Sequence, residues 1–373
     1  MIIKNGLVFT EEGKFVVKDL YIEDDKIVER AGGTELDANE LYVIPGLTDI
    51  HFHGCVGYDF CDGTQEALEK MAEYQLANGI TTICPASMTF SEAQLADIFA
   101  NAAAYTSDKG ATLVGINMEG PFISMEKKGA QNGEYIHKPD AEMFERLQLA
   151  ANGLIKLCDI APEVDGAMAC IEKIADKVTV SLAHTAADFD TAEEAFQKGA
   201  KHVTHLYNAM HPYTHRAPGV IGAACDNEKV MVELICDGVH SHPATVRTTF
   251  KMFGDDRVVL ISDSMMACGL EDGQYTLGGQ AVTVKGNLAT LTELGNIAGS
   301  VTNLMNCMRK AVKEMRIPLE SAVKCATANP AKAIGIYDNY GSLTPGKQAD
   351  VVLLDKDLEI KYIVKTGKVV YER

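Results

Sequence analysis

The chain has 373 residues, a formal net charge of −18 and a hydrophobic content of 47%. This length exceeds one average domain and fits a barrel with a small appendage, and the apolar fraction is ample for a large core. The strong negative charge argues against nucleic acid and anionic membrane surfaces as partners, but it does not exclude a small anionic substrate that responds to local charge.

The cysteines and the apolar segments bear on the cellular compartment. The ten cysteines are scattered without a Cys-x-x-Cys pair, so we expect reduced core residues rather than disulfides. The first residues lack the apolar region of a secretory signal, and no stretch reaches about 18 uninterrupted apolar residues. These features predict a cytoplasmic protein without a membrane span.

The two ends of the chain are typical of short β-strands separated by turns. Turn residues such as Asp24-Asp25 separate short strand-like runs near the N-terminus. The C-terminal segment shows the same pattern of strand-like runs and turns. Neither segment could bury a face alone, so we expect both to join in one small β-sandwich. The predicted domains are therefore a sandwich part over 1–45, a catalytic barrel over 46–339 and a second sandwich part over 340–373.

Between these ends, short apolar strands alternate with helical patterns. Helices are predicted over 64–78, 91–106, 140–151, 166–176, 188–198, 243–253, 299–315 and 319–333. This alternation predicts an α/β fold, a (β/α)8 TIM-like barrel. The alternating residues of 273–291 predict a hairpin inserted after the eighth strand. The long loop 120–139 is either a substrate cover or a solvated surface loop.

Residue types that bind metals stand at the ends of these strands. His51 and His53 follow the first strand, and their side chains point the same way because strand side chains alternate with period 2, which makes half a metal site. The later strands lead to Glu119, His184, His205, His240 and Asp263. Active sites of (β/α)8 barrels lie on the face where the strands end, so the pattern predicts a metal-dependent active site there.

The remaining histidines are not expected to bind metal. His202 begins the sixth strand three residues before His205, so the strand period places it on the opposite face. The others lie in loops: His137, His211, His215 and His242.

The order His-x-His, then Glu, His, His and Asp, resembles the ligand order of the amidohydrolase superfamily of metal-dependent hydrolases. Within it, the local motifs are most similar to those of N-acetylglucosamine-6-phosphate deacetylases. The most specific match is the run Thr204–Met210. The other matching stretches are Pro45–Gly54, Met118–Phe122, Ala183–Thr185, Arg216–Gly219, Cys236–His240, Ile261–Asp263 and Gly341–Val352.

The resemblance implies a reaction and a metal centre. The reaction is the hydrolysis of N-acetyl-D-glucosamine 6-phosphate to D-glucosamine 6-phosphate and acetate, in amino-sugar catabolism. One or two divalent metals are implied, with zinc expected and iron, manganese or cobalt as alternatives. Glu119, His184 and His205 would bind one metal, and His51 and His53 would hold a second with Glu119 bridging. Asp263 would also be a metal ligand, and it would act as the general base and later as the acid.

The resemblance also implies the substrate contacts. Arg216 would meet the sugar phosphate from the neighbouring subunit of a homodimer, where its planar fork suits phosphate. Asn208 and Ala209 would line the sugar site, and His240 would contact the sugar. Gln131 stands where many relatives have a histidine that polarises the substrate carbonyl. A glutamine amide still donates a hydrogen bond but cannot titrate.

Three alternatives remain open at this point. The enzyme could deacetylate N-acetylgalactosamine 6-phosphate, or it could be another amidohydrolase that acts on a different amide, such as a cyclic-amide hydrolase or a deaminase. Cyclic-amide hydrolases usually bridge their metals with a carbamylated lysine, and the strand ending at Glu119 has none. The third alternative is a metal-free barrel that serves as a scaffold.

Overall fold

The computed structural model describes all residues from Met1 to Arg373. Its strands are β1 (Ile2–Phe9), β2 (Phe15–Glu23), β3 (Lys26–Val28), β4 (Glu35–Asp37), β5 (Tyr42–Pro45), β6 (Leu47–Asp49), β7 (Gly54–Cys55), β8 (Tyr58–Asp59), β9 (Ile80–Ile83), β10 (Thr112–Leu113), β11 (Ile116–Met118), β12 (Ile155–Ile160), β13 (Thr179–Leu182), β14 (His202–Val203), β15 (Met231–Ile235), β16 (Val258–Ile261), β17 (Gly273–Leu277), β18 (Gln280–Lys285), β19 (Leu288–Leu291), β20 (Val351–Leu354), β21 (Ile360–Lys365) and β22 (Lys368–Glu372).

The helices surround the parallel strands. They are α1 (Gln65–Ala77), α2 (Glu92–Ala103), α3 (Ala141–Ala150), α4 (Ala167–Ile174), α5 (Phe189–Gln197), α6 (Gly219–Asp226), α7 (Pro243–Phe253), α8 (Leu304–Lys313), α9 (Leu319–Ala326) and α10 (Ala328–Ala333). Side-chain caps fix several of the starts. At α2, for example, Gln94 N donates to Ser91 Oγ while the Gln94 side chain accepts from Ser91 N, a reciprocal capping box.

The parallel strands form the predicted barrel. One ladder joins β6, β9 and β10, and a second runs from β11 through β16 in chain order. A bridge between Ala86 and Asn117 connects the two ladders. On the other side, Asp263 N donates to His51 O over 2.9 Å, which links the end of the eighth barrel strand to the first. The residues that follow these strands therefore meet on one face.

Burial on both faces explains why the barrel strands are mostly apolar. All four residues of β16 have no exposed surface, and β12, β13 and β15 are almost as buried. Helices cover the outside of the strands, so neither face of a strand needs polar residues. A core of 72 buried residues results, centred on the contact between strands and helices.

Three helices differ from the sequence prediction. The helical pattern did not indicate α6, a short segment of small residues that begins after Pro218. The helix predicted over 299–315 begins only at Leu304, because the side chain of Asn303 caps it. The helix predicted over 319–333 breaks between α9 and α10 at Thr327, which has φ −131°. Pro330 has no N–H to continue the helical bonds across this break.

The two chain ends form the predicted second β unit. Its sheet has the order β22-β21-β20-β5-β1-β2-β3, and β4 pairs with the other end of β1. The antiparallel ladder of β5 with β20 joins the N-terminal and C-terminal segments. Strand β1 continues through a register shift at Asn5, which has φ 62°. The fold class is confirmed, and the boundaries 1–45, 46–339 and 340–373 stay a prediction.

A buried ion pair fastens this β unit to the barrel. Lys365 Nζ lies 2.6 Å from Asp350 Oδ2, and both side chains are 6% exposed. The same ammonium donates to Thr81 O over 3.0 Å and to Thr112 Oγ1 over 2.7 Å, at two barrel strands. All three ammonium protons therefore have acceptors, as a buried lysine requires.

The segment predicted as a hairpin is a three-stranded antiparallel sheet, β17-β18-β19. The side-chain amide of Gln280 on β18 donates to Ala130 O, so this insertion contacts the loop 120–139. No helix combines the length and apolar character needed to cross a membrane. All ten cysteines are unpaired.

Candidate active site

A polar cavity of about 460 Å³ opens on the face where the barrel strands end. Side chains from five strand ends reach it or its floor. His51 and His53 follow β6, Glu119 follows β11, His184 follows β13, His205 follows β14 and Asp263 follows β16. The structure thus brings together the six residues predicted for the metal centre.

The first group of ligand atoms surrounds one oxygen of Glu119. His184 Nε2 lies 2.9 Å from Glu119 Oε1, and His205 Nε2 lies 3.1 Å from the same oxygen. The two imidazole nitrogens are 3.2 Å apart. All three side chains are buried, so three donor atoms converge with little access to water.

The second group lies on the other side of Glu119. His53 Nε2 is 3.1 Å from Glu119 Oε2 and 3.3 Å from Asp263 Oδ1. His51 Nε2 is 3.6 Å from Glu119 Oε1 and 3.7 Å from Asp263 Oδ1. Glu119 therefore stands between the two groups. Its Oε1 is nearest to His184 and His205, and its Oε2 is nearest to His53.

Hydrogen bonds on the far sides of the rings orient three of the four histidines. His184 Nδ1 lies 2.9 Å from Lys127 O, and His53 Nδ1 lies 3.2 Å from Ala86 O. His51 Nδ1 lies 2.9 Å from Glu233 Oε2. Because carbonyl and carboxylate oxygens only accept, each Nδ1 is the donor, and the Nε2 of a neutral ring keeps its lone pair for the site.

The electrostatics of the site favour a bound cation. Burial opposes ionisation of Glu119, but His51, His184 and His205 outweigh this and hold its pKa well below the usual range. Burial also lowers the pKa of His53, yet the neighbouring carboxylates of Asp263 and Glu119 raise that pKa to about 10. The carboxylates of Glu119 and Asp263 therefore stabilise positive charge at this place, whether it is carried by a protonated imidazole or by a bound cation.

The donor set itself fits a divalent metal. His51 Nε2 and Glu119 Oε2 are buried without a hydrogen-bond partner, although each lies within 4 Å of another potential ligand atom. Imidazole nitrogen and carboxylate oxygen are the donors of catalytic zinc and iron sites. A divalent cation would satisfy both orphaned atoms, whereas a metal-free site leaves them at an energetic cost.

The backbone at three of these residues is strained. His184, His205 and Asp263 have φ of 44°, 29° and 48°, the left-handed region that non-glycine residues rarely adopt. Hydrogen bonds hold the chain there; Ser300 N, for example, donates to Asp263 O over 2.7 Å. Such conformations persist where surrounding structure determines them, and they cluster at active sites.

Four predicted substrate contacts line the cavity: Gln131, Asn208, Ala209 and His240. Thr89 N donates to Gln131 Oε1 over 2.7 Å, so the amide nitrogen is the end of Gln131 left for a ligand. Asp237 Oδ2 lies 2.8 Å from His240 Nδ1, so His240 Nε2 is likewise left for a ligand. The inserted sheet and the loop after it also line the cavity, through Leu277 and Ile297, which the sequence analysis did not foresee.

Arg216 does not reach this cavity within the chain. It is exposed and lines a separate surface cavity of about 750 Å³, together with Asp188, Asp190 and His211. The segment from His211 to Arg216 is exposed throughout. Within one chain, Arg216 therefore does not line the cavity that holds the predicted metal ligands.

The predicted orientation of His202 is wrong, while the expectation that it binds no metal stays a prediction. Its Nδ1 lies 3.0 Å from Ser181 Oγ and 4.0 Å from Glu233 Oε1, so the ring faces the barrel interior beneath the site. The strand β14 ends at Val203, and the left-handed backbone of His205 resets the alternation that the prediction assumed. Glu233 was missed as well, although it is the only charged residue in the apolar run Val230–Cys236.

The fold and the site define a metal-dependent hydrolase of the (β/α)8-barrel class. The chain belongs to the amidohydrolase family, whose sequence pattern matches residues 42–370. The predicted resemblance to N-acetylglucosamine-6-phosphate deacetylases is confirmed as well. The chain is 37% identical to the Bacillus subtilis (strain 168) deacetylase, with 99% of this chain and 94% of that protein covered. It is 33% identical to the Lysinibacillus sphaericus deacetylase, with 99% and 97% covered.

Solved structures agree with these relatives. A mutant of the Mycobacterium smegmatis N-acetyl-D-glucosamine-6-phosphate deacetylase, in complex with N-acetyl-D-glucosamine-6-phosphate, superposes with a TM-score of 0.92 at 32% identity, covering 99% of each chain. The Thermotoga maritima N-acetylglucosamine-6-phosphate deacetylase superposes with a TM-score of 0.90 at 29% identity over 100% of each chain.

Proposed function

We propose that the chain deacetylates N-acetyl-D-glucosamine 6-phosphate to D-glucosamine 6-phosphate and acetate, as a cytoplasmic enzyme of amino-sugar catabolism. The observation that carries this proposal is the convergence of four histidines with Glu119 and Asp263 at the floor of a polar cavity. The full-length similarity to deacetylases of that substrate supports the choice of amide.

The metal would be held by the two groups already described. Glu119, His184 and His205 would bind one divalent ion, and His51, His53 and Asp263 would bind a second with Glu119 shared between them. We propose zinc, because imidazole and carboxylate donors suit it and catalytic zinc sites use this donor chemistry. When bound, a divalent metal supplies Lewis acidity that polarises an amide carbonyl and acidifies water.

Asp263 would move the proton that the reaction requires. Burial opposes its ionisation, but His53 and His51 outweigh burial and lower its pKa below the usual range, so the carboxylate is ionised at neutral pH. In that form it accepts a proton from the attacking water as the C–O bond forms. It then returns the proton to the amide nitrogen as the C–N bond breaks, because an amine leaves readily only when protonated.

The remaining residues would bind and orient the substrate. The Gln131 amide nitrogen would donate to the acyl oxygen, while His240, Asn208 and Ala209 would line the sugar. Arg216 of a partner subunit would bind the phosphate through parallel hydrogen bonds. We therefore propose a homodimer, since Arg216 lies outside the cavity of its own chain. Anchoring at the phosphate would position the acetamide at the metal site through remote binding energy.

The test measures acetate release together with metal content. Purified protein expressed with zinc and iron is given N-acetylglucosamine 6-phosphate, its galacto epimer and unphosphorylated N-acetylglucosamine, while ring opening of dihydroorotate is followed separately. We expect the phosphorylated gluco sugar to react best, at least about tenfold above the unphosphorylated sugar in kcat/KM, because a charge-assisted contact contributes roughly 1.5–3 kcal/mol.

Each other outcome contradicts a defined part of the proposal. Faster turnover of the galacto epimer would change the substrate. Opening of dihydroorotate without acetate release would change the amide. Protein that binds no metal and has no activity would contradict the proposal that the chain is a metal-dependent enzyme.

A further inference from the structure

Glu233 is a buried acid at a position where an apolar residue is expected. It lies in the middle of β15, between Val232 and Leu234, and its side chain has no exposed surface. A carboxylate in such a place is strongly destabilising unless it has partners of suitable charge and geometry. Its contacts therefore indicate what the residue does.

One oxygen of Glu233 contacts both halves of the metal site. Glu233 Oε2 lies 2.9 Å from His51 Nδ1 and accepts a hydrogen bond from His205 N over 3.1 Å. A backbone N–H only donates, so this oxygen accepts from His205 N, and it lies within hydrogen-bond distance of His51 Nδ1 as well. His51 belongs to one group of ligand atoms and His205 to the other.

His51 differs in this respect from its neighbours. The Nδ1 atoms of His53 and His184 donate to backbone carbonyls of Ala86 and Lys127, which are neutral acceptors. A carboxylate acceptor fixes the ring equally well, and in addition it makes the imidazole a stronger donor to a cation. The buried Nε2 of His51, which has no hydrogen-bond partner, is the atom that would benefit.

The charge of the site points the same way. Two divalent cations bring four positive charges, of which Glu119 and Asp263 offset two. Glu233 adds a third negative charge in the low-dielectric interior, where a nearby opposite charge matters most.

We infer that Glu233 is a positioning residue that orients His51 through its Nδ1–H and thereby makes the half of the site formed by His51, His53 and Asp263 able to hold a second cation. The inference rests on the proposed metal-dependent function. It states that one residue that does not itself bind metal determines whether the second metal position is occupied. Without Glu233, the chain keeps all its ligands but loses the side-chain acceptor of His51 Nδ1 and the acceptor of the His205 backbone N–H.

Two substitutions separate the charge from the hydrogen bond. Glu233→Gln keeps an oxygen that accepts from His51 Nδ1 and removes only the charge. Glu233→Met has similar length and removes both. Metal-free protein is titrated with Zn²⁺ against a chromogenic chelator, and with Co²⁺ while the visible spectrum is recorded. The wild type should bind two equivalents. The weaker equivalent should lose about 10–100-fold in affinity in the Gln variant, as outer partners of metal ligands typically contribute, and more in the Met variant with an altered Co²⁺ spectrum.

Asp159→Asn is the matched control. Asp159 is equally buried inside the barrel, accepts from Thr204 Oγ1 over 2.9 Å and contacts no proposed ligand side chain. The amide that replaces the carboxyl group keeps a carbonyl oxygen that can accept from Thr204 Oγ1, so this substitution preserves the local hydrogen bond. This variant should bind both equivalents like the wild type.

The outcomes separate this inference from the proposed function. Wild-type affinity for both equivalents in both Glu233 variants would overturn it, as would an equal loss of both equivalents in all three variants, which would indicate a general packing effect. A wild type that binds a single equivalent also overturns the inference while leaving the deacetylase proposal standing. A wild type that binds no metal overturns the proposed function itself.

Discussion

Replacement of Gln131 tests how the substrate carbonyl is polarised. The side chain is 2% exposed, and the bond from Thr89 N to its Oε1 leaves the amide nitrogen as the only end that can serve a ligand in the cavity. Its own backbone is fixed too, because Gln131 N donates to Lys128 O over 2.8 Å. Gln131→Leu keeps most of the volume and removes the donor.

The expected loss follows from how rigidly this donor is held. A net hydrogen bond between flexible neutral groups contributes only about 0.5–1.5 kcal/mol. A preorganised donor to a developing oxyanion contributes roughly 2.7–4 kcal/mol, or about 100–1000-fold in kcat. The buried, anchored amide belongs to the second class, and its neutrality places it at the low end. We therefore expect kcat to fall by about 100-fold while KM changes little, since the ground-state carbonyl is a weaker acceptor.

A second substitution sharpens the test. Gln131→Glu keeps the acceptor for Thr89 N but presents a carboxylate oxygen to the developing negative charge, so it should be slower than Gln131→Leu. The assay is kcat and KM for acetate release, with metal content measured in each variant. A Leu variant with full metal and kcat within about twofold of wild type would refute the reasoning, and so would a Glu variant faster than the Leu variant.

Four further expectations concern other parts of the molecule. Asp263→Asn should keep most metal and lower kcat about 100-fold; near-normal kcat would contradict its role. Arg216→Ala should raise KM for the phosphorylated sugar far more than for N-acetylglucosamine; equal effects would show that it does not contact phosphate. Lys365→Met should lower the free energy of unfolding by about 3–5 kcal/mol in denaturant titrations, because Asp350 is left buried and unpaired. A double variant, Lys365→Met with Asp350→Ala, that is as unstable as Lys365→Met alone would contradict this. As the pH is lowered, Zn²⁺ affinity should fall about tenfold per pH unit for each proton that the metal displaces, since the pKa of metal-free His53 is about 10. An affinity that does not change with pH between 6 and 8 would refute competition by protons.

The barrel and most of its site followed from simple regularities of the sequence. Apolar strands buried on both faces, separated by helical patterns, give the ring of strands. Because parallel strands end on one face, ligand types after those strands had to converge. The six residues from His51 to Asp263 were identified in this way without any knowledge of their distances.

Features that depend on contacts between distant segments were not predictable in this way. The short helix α6 has too few residues for a clear periodic signal. Leu277 and Ile297 reach the cavity only because the inserted sheet folds back over the barrel mouth. Glu233 stands out in its strand, but its partner His51 lies 182 residues away, and nothing local connects the two.

The strained strand ends explain why the period-2 argument for the orientation of His202 failed. Alternation within a strand holds only while the backbone stays extended. At His184, His205 and Asp263 the chain turns into the left-handed region, at a cost of order 1–3 kcal/mol each. That turn directs each side chain over the barrel interior whatever the phase of the strand before it. The inward direction of the ligands is therefore set by the turns that end the strands. His202 lies three residues before His205, within β14, and it faces the same interior and packs beneath the site.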